Sequence, residues 1–185
     1  ADTDKIVKYI EECRAMGIEV LPPDVNESSN DFTVVGDKIC FGLVAVKNVG
    51  EGAIQSNLAA RRQQGRFRDL FDFCERVDLR LVNKRVIESL IKCGAFDSLG
   101  TRRAQLMAVV DKAMEAASAA QRDRAHGQVS LLDVLSSGGG APRQGGALPD
   151  LPEWDRSKLL AGEKETLGFY VTGHPLAEHR GLIAR

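Results

Sequence analysis

The sequence predicts a mainly α chain with one small β-hairpin near its N-terminus and a flexible glycine-rich linker. Three observations predict it. Apolar residues recur at three- and four-residue spacing through most of the chain, the mark of half-buried helices. Two compact glycine turns, within 46–54 and 94–100, each join a short apolar segment to a longer, arginine-bearing one. Only the stretch 32–41, about Gly36-Asp37, has the composition of paired strands.

Element by element, Ile6, Val7, Ile10, Cys13 and Met16 give residues 4–16 helical spacing, and Gly17 stops the helix. Leu21-Pro22-Pro23-Asp24-Val25-Asn26 reads as an extended connector stiffened by proline. After the hairpin, a short helix starts near Gly42 and runs through Leu43, Val44 and Val46. The first turn is Val46-Lys47-Asn48-Val49-Gly50-Glu51-Gly52-Ala53-Ile54. Its two glycines are expected to take positive φ and to let the backbone approach a ligand. A helix opening at Gly52 or Ala53 directs unpaired N–H groups out of that turn, which is an anion site.

Residues 53–64 form the helix that follows, ending at Gly65, and residues 69–77 form the next, with Leu70, Phe71 and Phe73 inward. Asn83 caps 84–93, whose core face is Val86, Ile87, Leu90 and Ile91. Gly94-Ala95-Phe96-Asp97-Ser98-Leu99-Gly100 is the second turn, and Thr101 caps a long helix through Leu106, Val109, Val110 and Met114 to about 123. Residues 157–170 form a last helix, with Glu163, Lys164 and Glu165 between Leu159, Leu160 and Leu167. The repeated layout is helix–hairpin–helix organisation, seen twice. Such a pair grips both strands of a duplex through backbone amides without reading sequence.

Composition narrows the function. Aromatic residues make up 5% of the 185, too few for a base-stacking platform. No apolar run reaches membrane-spanning length and no signal peptide opens the chain, so a cytoplasmic location is expected. The overall charge of −1 hides an uneven distribution. Residues 1–46 carry 4 basic and 9 acidic groups, 47–124 carry 15 and 10, and 125–185 carry 6 and 7. A basic middle suits a phosphate-facing surface, and a mild excess on a solvated helical face would give the same numbers. Both ends read as cut, as in a piece of a longer chain.

Cys13, Cys40, Cys74 and Cys93 lie far apart with no CxxC, so reduced, mostly buried thiols are expected and no metal site. His174, Glu178 and His179 could suggest a metal cluster, but His174-Pro175 reads more simply as a turn. No Gly-Lys-Ser/Thr follows either turn, which excludes a nucleotide P-loop. No closely grouped aspartates offer a two-metal site, so no catalytic residue is expected here.

The candidate phosphate contacts are therefore Lys47, Asn48, Val49, Gly50, Glu51, Gly52, Ala53, Arg61 and Arg62 about the first turn, and Ser98, Gly100, Arg102 and Arg103 about the second. The competing reading is a pair of helix-connecting turns and solvated arginines. A second candidate is Gln128-Val129-Ser130-Leu131-Leu132, an apolar cluster beside the Ser/Gly-rich linker 136–146. Its position suits a peptide that docks into a partner's pocket, with disordered filler or local packing as the alternative.

These residues resemble the DNA polymerase III alpha subunits, the C-family of bacterial replicative DNA polymerases, over essentially the whole chain. The matching runs are Tyr9-Ile10-Glu11-Glu12-Cys13-Arg14, Leu21-Pro22-Pro23-Asp24-Val25-Asn26, Gly50-Glu51-Gly52 and Phe67-Arg68-Asp69-Leu70-Phe71-Asp72-Phe73-Cys74. Leu90-Ile91-Lys92-Cys93-Gly94-Ala95-Phe96-Asp97, Glu163-Lys164-Glu165-Thr166-Leu167-Gly168-Phe169-Tyr170 and Gly173-His174-Pro175 complete them.

The resemblance implies four regions. Residues 1–30 end the fingers, 31–124 hold the β-hairpin and tandem helix–hairpin–helix domain, 125–150 hold the clamp-binding peptide and linker, and 151–185 lead into an OB-fold. It implies that the hairpins hold duplex DNA leaving the active site and that Gln128, Ser130, Leu131 and Leu132 plug into a sliding clamp. Other replicase subunits are implied partners through the parent chain. The parent enzyme is a DNA-directed DNA polymerase whose Mg2+ site lies outside this piece, which itself needs no cofactor. Leu132 stands where the family often has phenylalanine, and Asn48 replaces a common hairpin glycine. Two alternatives remain: a scaffold that binds only the clamp, with hairpins that do not touch DNA, and an accessory to a repair nuclease.

Overall fold

The computed structural model describes residues 3–125 and 147–173. Helix α1, Thr3–Ala15, ends where Gly17 takes φ +77°, as the sequence predicts. Strands β1 (Val20–Leu21), β2 (Thr33–Val35) and β3 (Lys38–Cys40) form a sheet ordered β1-β3-β2. The expected hairpin pairs Val35 with Lys38 and Thr33 with Cys40 across Gly36-Asp37. The connector before it does more than the sequence suggests. Val20 pairs with Ile39 and Leu21 with Cys40 in parallel, and a two-residue strand leaves no period to detect.

The short helix expected near Gly42 is one tight 3-10 turn, Leu43–Ala45. Four helices follow: α2 (Glu51–Gln64), α3 (Leu70–Arg76), α4 (Lys84–Lys92) and α5 (Arg103–Ala125). The last, α6 (Arg156–Leu167), stops three residues before the predicted end because Gly168 adopts φ +90°. Side-chain caps set the starts: Asp69 accepts from the Asp72 amide, Asn83 from Val86 and Asp155 from Lys158. The other end of α3 is capped from a distance. Gln121 Nε2 donates to the carbonyls of Cys74, Glu75 and Val77, which have no partner in the next turn.

Helices α3 and α4 both lie on α5. The small Ala113 and Ala117 of α5 are buried, and Phe67, Phe73 and Phe96 meet edge-on with ring centroids 4.9 and 5.0 Å apart. All four cysteines are free. Burial pushes the Cys74 and Cys93 thiols up to about 12, so both stay protonated and unreactive.

The Pro-Pro-Asp-Val-Asn run fastens the sheet to the helices. Asn26 donates to the Phe67 carbonyl at 2.9 Å and accepts from the Phe67 amide at 2.7 Å, imitating a strand pair. The Val25 amide donates to Ala95, and Arg61 donates to the carbonyls of Val25 and Ser28. Asn26→Ala strands two buried backbone groups and is expected to cost about 2–3 kcal/mol. Urea denaturation checks this; a loss below about 0.5 kcal/mol would show that the clasp adds nothing.

Candidate nucleic-acid interface

The first hairpin runs from Val46 to Ala53, and its N-terminal side is tied down twice. The Lys47 amide donates to the Thr166 carbonyl of α6 at 2.8 Å, and Asn48 Nδ2 donates to Ser89 Oγ of α4 at 3.0 Å. Positive φ falls on Asn48 (+69°), not on the glycines expected to carry it. Asparagine tolerates that region better than most residues, so the family's glycine can be replaced there.

Gly50 is instead extended (φ −80°, ψ 165°) and serves as N-cap of α2 without any side-chain cap. Its value is space, not torsion. A Cβ at Gly50 would meet nothing within 4 Å, so the backbone just before the first turn of α2 is open to an approaching group. A Cβ at Gly52 would sit 3.2 Å from the Leu81 side chain. Val49 and Ala53 are buried and contribute backbone alone. The Glu51 carboxylate is drawn back along the helix by Gln55 Nε2 at 2.7 Å.

The predicted cations separate. Lys47 is exposed and, among the described residues, has no acidic partner. Arg61 is turned into the fold by its bonds to Val25 and Ser28, so its guanidinium is engaged by backbone carbonyls. Arg62 is exposed and unpaired among the described residues, but it is eleven residues beyond Glu51. At about 1.5 Å per residue that is about 16 Å along α2, too far to share a phosphate with the hairpin.

Arg85 was not expected and belongs nearer the site. It lies one turn before Ser89 on α4, on the face that holds Asn48, and is exposed without an ion pair among the described residues. Nothing in the sequence marks it until Asn48 is known to land on Ser89.

The second hairpin has the same course and a different outcome. Gly94 (φ +85°) and Gly100 (φ +74°) bracket the 3-10 turn Asp97–Leu99, and Ser98 and Gly100 are exposed. Thr101 does not start α5. Glu153, from fifty residues later in the chain, places its carboxylate on the first amides of the helix: Arg103 N to Oε2 at 2.8 Å and Ala104 N to Oε1 at 3.0 Å. Partial burial alone would raise the Glu153 carboxyl, but the amides of Trp154, Ala104 and Arg103 hold it below the usual range.

Arg102 donates to the Leu151 carbonyl at 2.9 Å and lies 3.6 Å from Asp150. Arg103, expected on the surface, is buried with 4% of its area exposed. Its guanidinium binds Asp97 at 2.6 Å and the Lys92 carbonyl at 3.0 Å, and lies 3.6 Å from Glu163. Arginine is the one side chain that can satisfy all three at once, because its donors form a fixed fork. The predicted Gln128, Val129, Ser130, Leu131 and Leu132 lie outside the described residues. Among the described residues no group of His, Cys, Asp or Glu could hold a metal ion, and no helix is long and apolar enough to cross a membrane.

Comparison with known proteins gives this geometry a context. The helix-hairpin-helix motif family matches residues 17–106, covering the first hairpin and the second through the start of α5. DNA polymerase III subunit alpha of Vibrio cholerae is 47% identical over 179 residues, 96% of this chain and 15% of that protein. This chain matches a segment of the DNA polymerase III alpha subunit. The Escherichia coli alpha subunit is 41% identical over all 185 residues, 16% of its length, and that of Deinococcus radiodurans 39% over 182, 13% of its length. The chain thus spans about 15% of the alpha subunits it matches.

The acid response of the second hairpin follows from its cap. The Glu153 carboxyl is lower in the folded chain, so its contribution is complete above the unfolded value of about 4.3 and vanishes as pH falls through the folded one. Amide exchange at Arg103 and Ala104 should accelerate below about pH 4, and Glu153→Gln should remove that transition. An unchanged acid profile in the variant would assign the response to another carboxylate.

Proposed function

We propose that this chain is the part of a bacterial replicative DNA polymerase that holds the duplex product and tethers the enzyme to its sliding clamp. One observation carries the first half: the start of α2, uncapped by any side chain and open at Gly50, in a hairpin that holds the exposed Lys47, unpaired among the described residues, and is tied by Asn48 to α4 one turn from Arg85, likewise exposed and unpaired. A helix start of that kind favours a phosphate, and backbone donors hold any sequence equally. Asn48, Gly50, Glu51 and Gly52 supply the hairpin, Val49 and Ala53 anchor it, and Arg62 reaches a phosphate farther along. Polymerisation belongs to the parent enzyme, with Mg2+ at residues outside this chain. The work is cytoplasmic.

Duplex binding should be independent of sequence and fall with salt, with a log–log slope of about −3 to −6. Lys47→Ala and Arg85→Ala should each flatten the slope by about 1. Gly50 has room for a side chain at an ordinary φ, so Gly50→Ile should leave the fold intact and weaken binding more than Arg62→Ala does. Mobility shift and thermal melting together check it. Equal affinity of Gly50→Ile and the parent chain would remove the first hairpin from the interface and favour the scaffold reading.

For the second half, Gln128 supplies a hydrogen bond and Leu131 and Leu132 fill an apolar pocket of the clamp. Losing either leucine from such a pocket costs about 2 kcal/mol or more, about thirtyfold in Kd. Titration of a bacterial sliding clamp with Leu131→Ala and Leu132→Ala reads this directly. Unchanged affinity in both would place clamp contact elsewhere in the parent chain.

A further inference from the structure

The second hairpin carries the same kind of anion site as the first, but its phosphate contacts are already engaged by acidic side chains from one short segment. Glu153 sits on the Arg103 and Ala104 amides, and Asp150 stands 3.6 Å from Arg102. Two carboxylates three residues apart thus meet an arginine and a helix start, the two features a phosphate would seek there.

We propose that residues 149–154 form an internal strap that mimics the DNA backbone, closing the second hairpin until a duplex displaces it. The proposal rests on the duplex-gripping function above and adds a competitor built into the chain.

The way the strap is held favours release. Residues 147–155 form no helix or strand. Their attachments to the second hairpin and α5 are polar: Glu153 on two amides, Arg102 on the Leu151 carbonyl, and Gln105 Nε2 on the Pro149 carbonyl at 2.8 Å. Its leucines anchor it little, Leu148 being 42% and Leu151 38% exposed, and the half-buried Trp154 ring lies under Lys158 of α6, with Nζ 4.4 Å from its centroid. The Asp150 side chain is fully exposed, so its attraction for Arg102 is weak and screened by salt. A duplex can replace every one of these interactions with phosphate contacts, and little apolar area returns to water. By contrast, Arg103 stays with Asp97 and Glu163 whether the strap is on or off, so the hairpin keeps its shape.

The charge that faces Glu153 is Arg103 of α5, itself paired with Asp97 of the second hairpin, while Asp150 and Asp155 are the nearest acids along the chain and Asp150 is taken up by Arg102. Removing the carboxylate charge should therefore weaken the strap without unpairing a cation, since Arg103 has other partners. Glu153→Gln keeps a carbonyl acceptor for the same amides, which protects the fold.

The only tryptophan, Trp154, adjoins Glu153 and reports the strap in the unmutated chain. In a titration of the 185-residue chain with a 20-bp duplex, Trp154 emission should change in step with the anisotropy of the labelled DNA. Glu153→Gln and Asp150→Asn/Glu153→Gln should bind on the order of three- to tenfold tighter, with a salt slope steeper by about 1 for each phosphate contact recovered. Binding in the parent chain with silent Trp154 emission and equal affinity in both variants would overturn the strap and leave the grip intact. No binding by parent or variants, even at low salt, would overturn both. Circular dichroism of the variants confirms that α5 persists.

Discussion

The position of every element near the two hairpins depends on the buried guanidinium of Arg103. It joins the end of α4 through the Lys92 carbonyl, the second hairpin through Asp97, and α6 through the carboxylate of Glu163. Glu163, with 0% of its surface exposed, passes the tie on to the amides of Val171 and Thr172 and to the Thr172 hydroxyl. The Val171 carbonyl then accepts from Arg14 of α1 at 2.7 Å. Hydrogen bonds and the two ion pairs of Arg103 thus run from the N-terminal helix to the second hairpin. Burying ions this way costs several kcal/mol each, and only nearly complete pairing offsets it. Gly94 follows from the same arrangement: a Cβ there would collide with the guanidinium.

The open first hairpin is a consequence of this placement. With α6 held by Arg103 and packed against Lys92 at Gly162, its Thr166 carbonyl lies where the Lys47 amide can reach it. Ser89 of α4 meets Asn48 from the other side. The turn is fixed from both flanks, just before the start of α2. An anion site needs that rigidity, because donors that must first be ordered lose part of what they gain on binding.

Much of this was legible in the sequence, and the failures have physical reasons. Most helix spans, the hairpin about Gly36-Asp37 and the cap Asn83 came through because each rests on local periodicity or a local hydrogen bond. The mainly α fold with paired helix–hairpin–helix units came through on the same ground. Placement of the arginines did not. Arg61, Arg62, Arg102 and Arg103 look alike in the chain, yet one binds loop carbonyls, one is free, one meets the strap and one is buried. Their fates are set by Val25, Asp150 and Glu163, residues distant in sequence, which no spacing rule connects. Glu163 is the sharpest case. Beside Lys164 and Glu165 it reads as part of a solvated stretch, and it is among the most buried side chains described.

The pairing of surface charges also explains why the basic middle of the chain is a poor guide to where positive potential is free. Of the cations between 47 and 124, Arg66, Arg80, Lys84 and Lys92 are committed to Glu27, Asp78, Asp111 and Glu165. Exposed pairs of this kind add little stability, but each carboxylate lowers the local potential that an approaching strand meets. Net charge counts these cations at full value, whereas a phosphate meets them already compensated. The uncompensated positive potential is concentrated at fewer points, and the start of α2 with Lys47 and Arg85 is one of them. On the proposed function, a surface built so would hold a duplex through a few fixed donors without reading bases, which suits a partner whose sequence changes at every step.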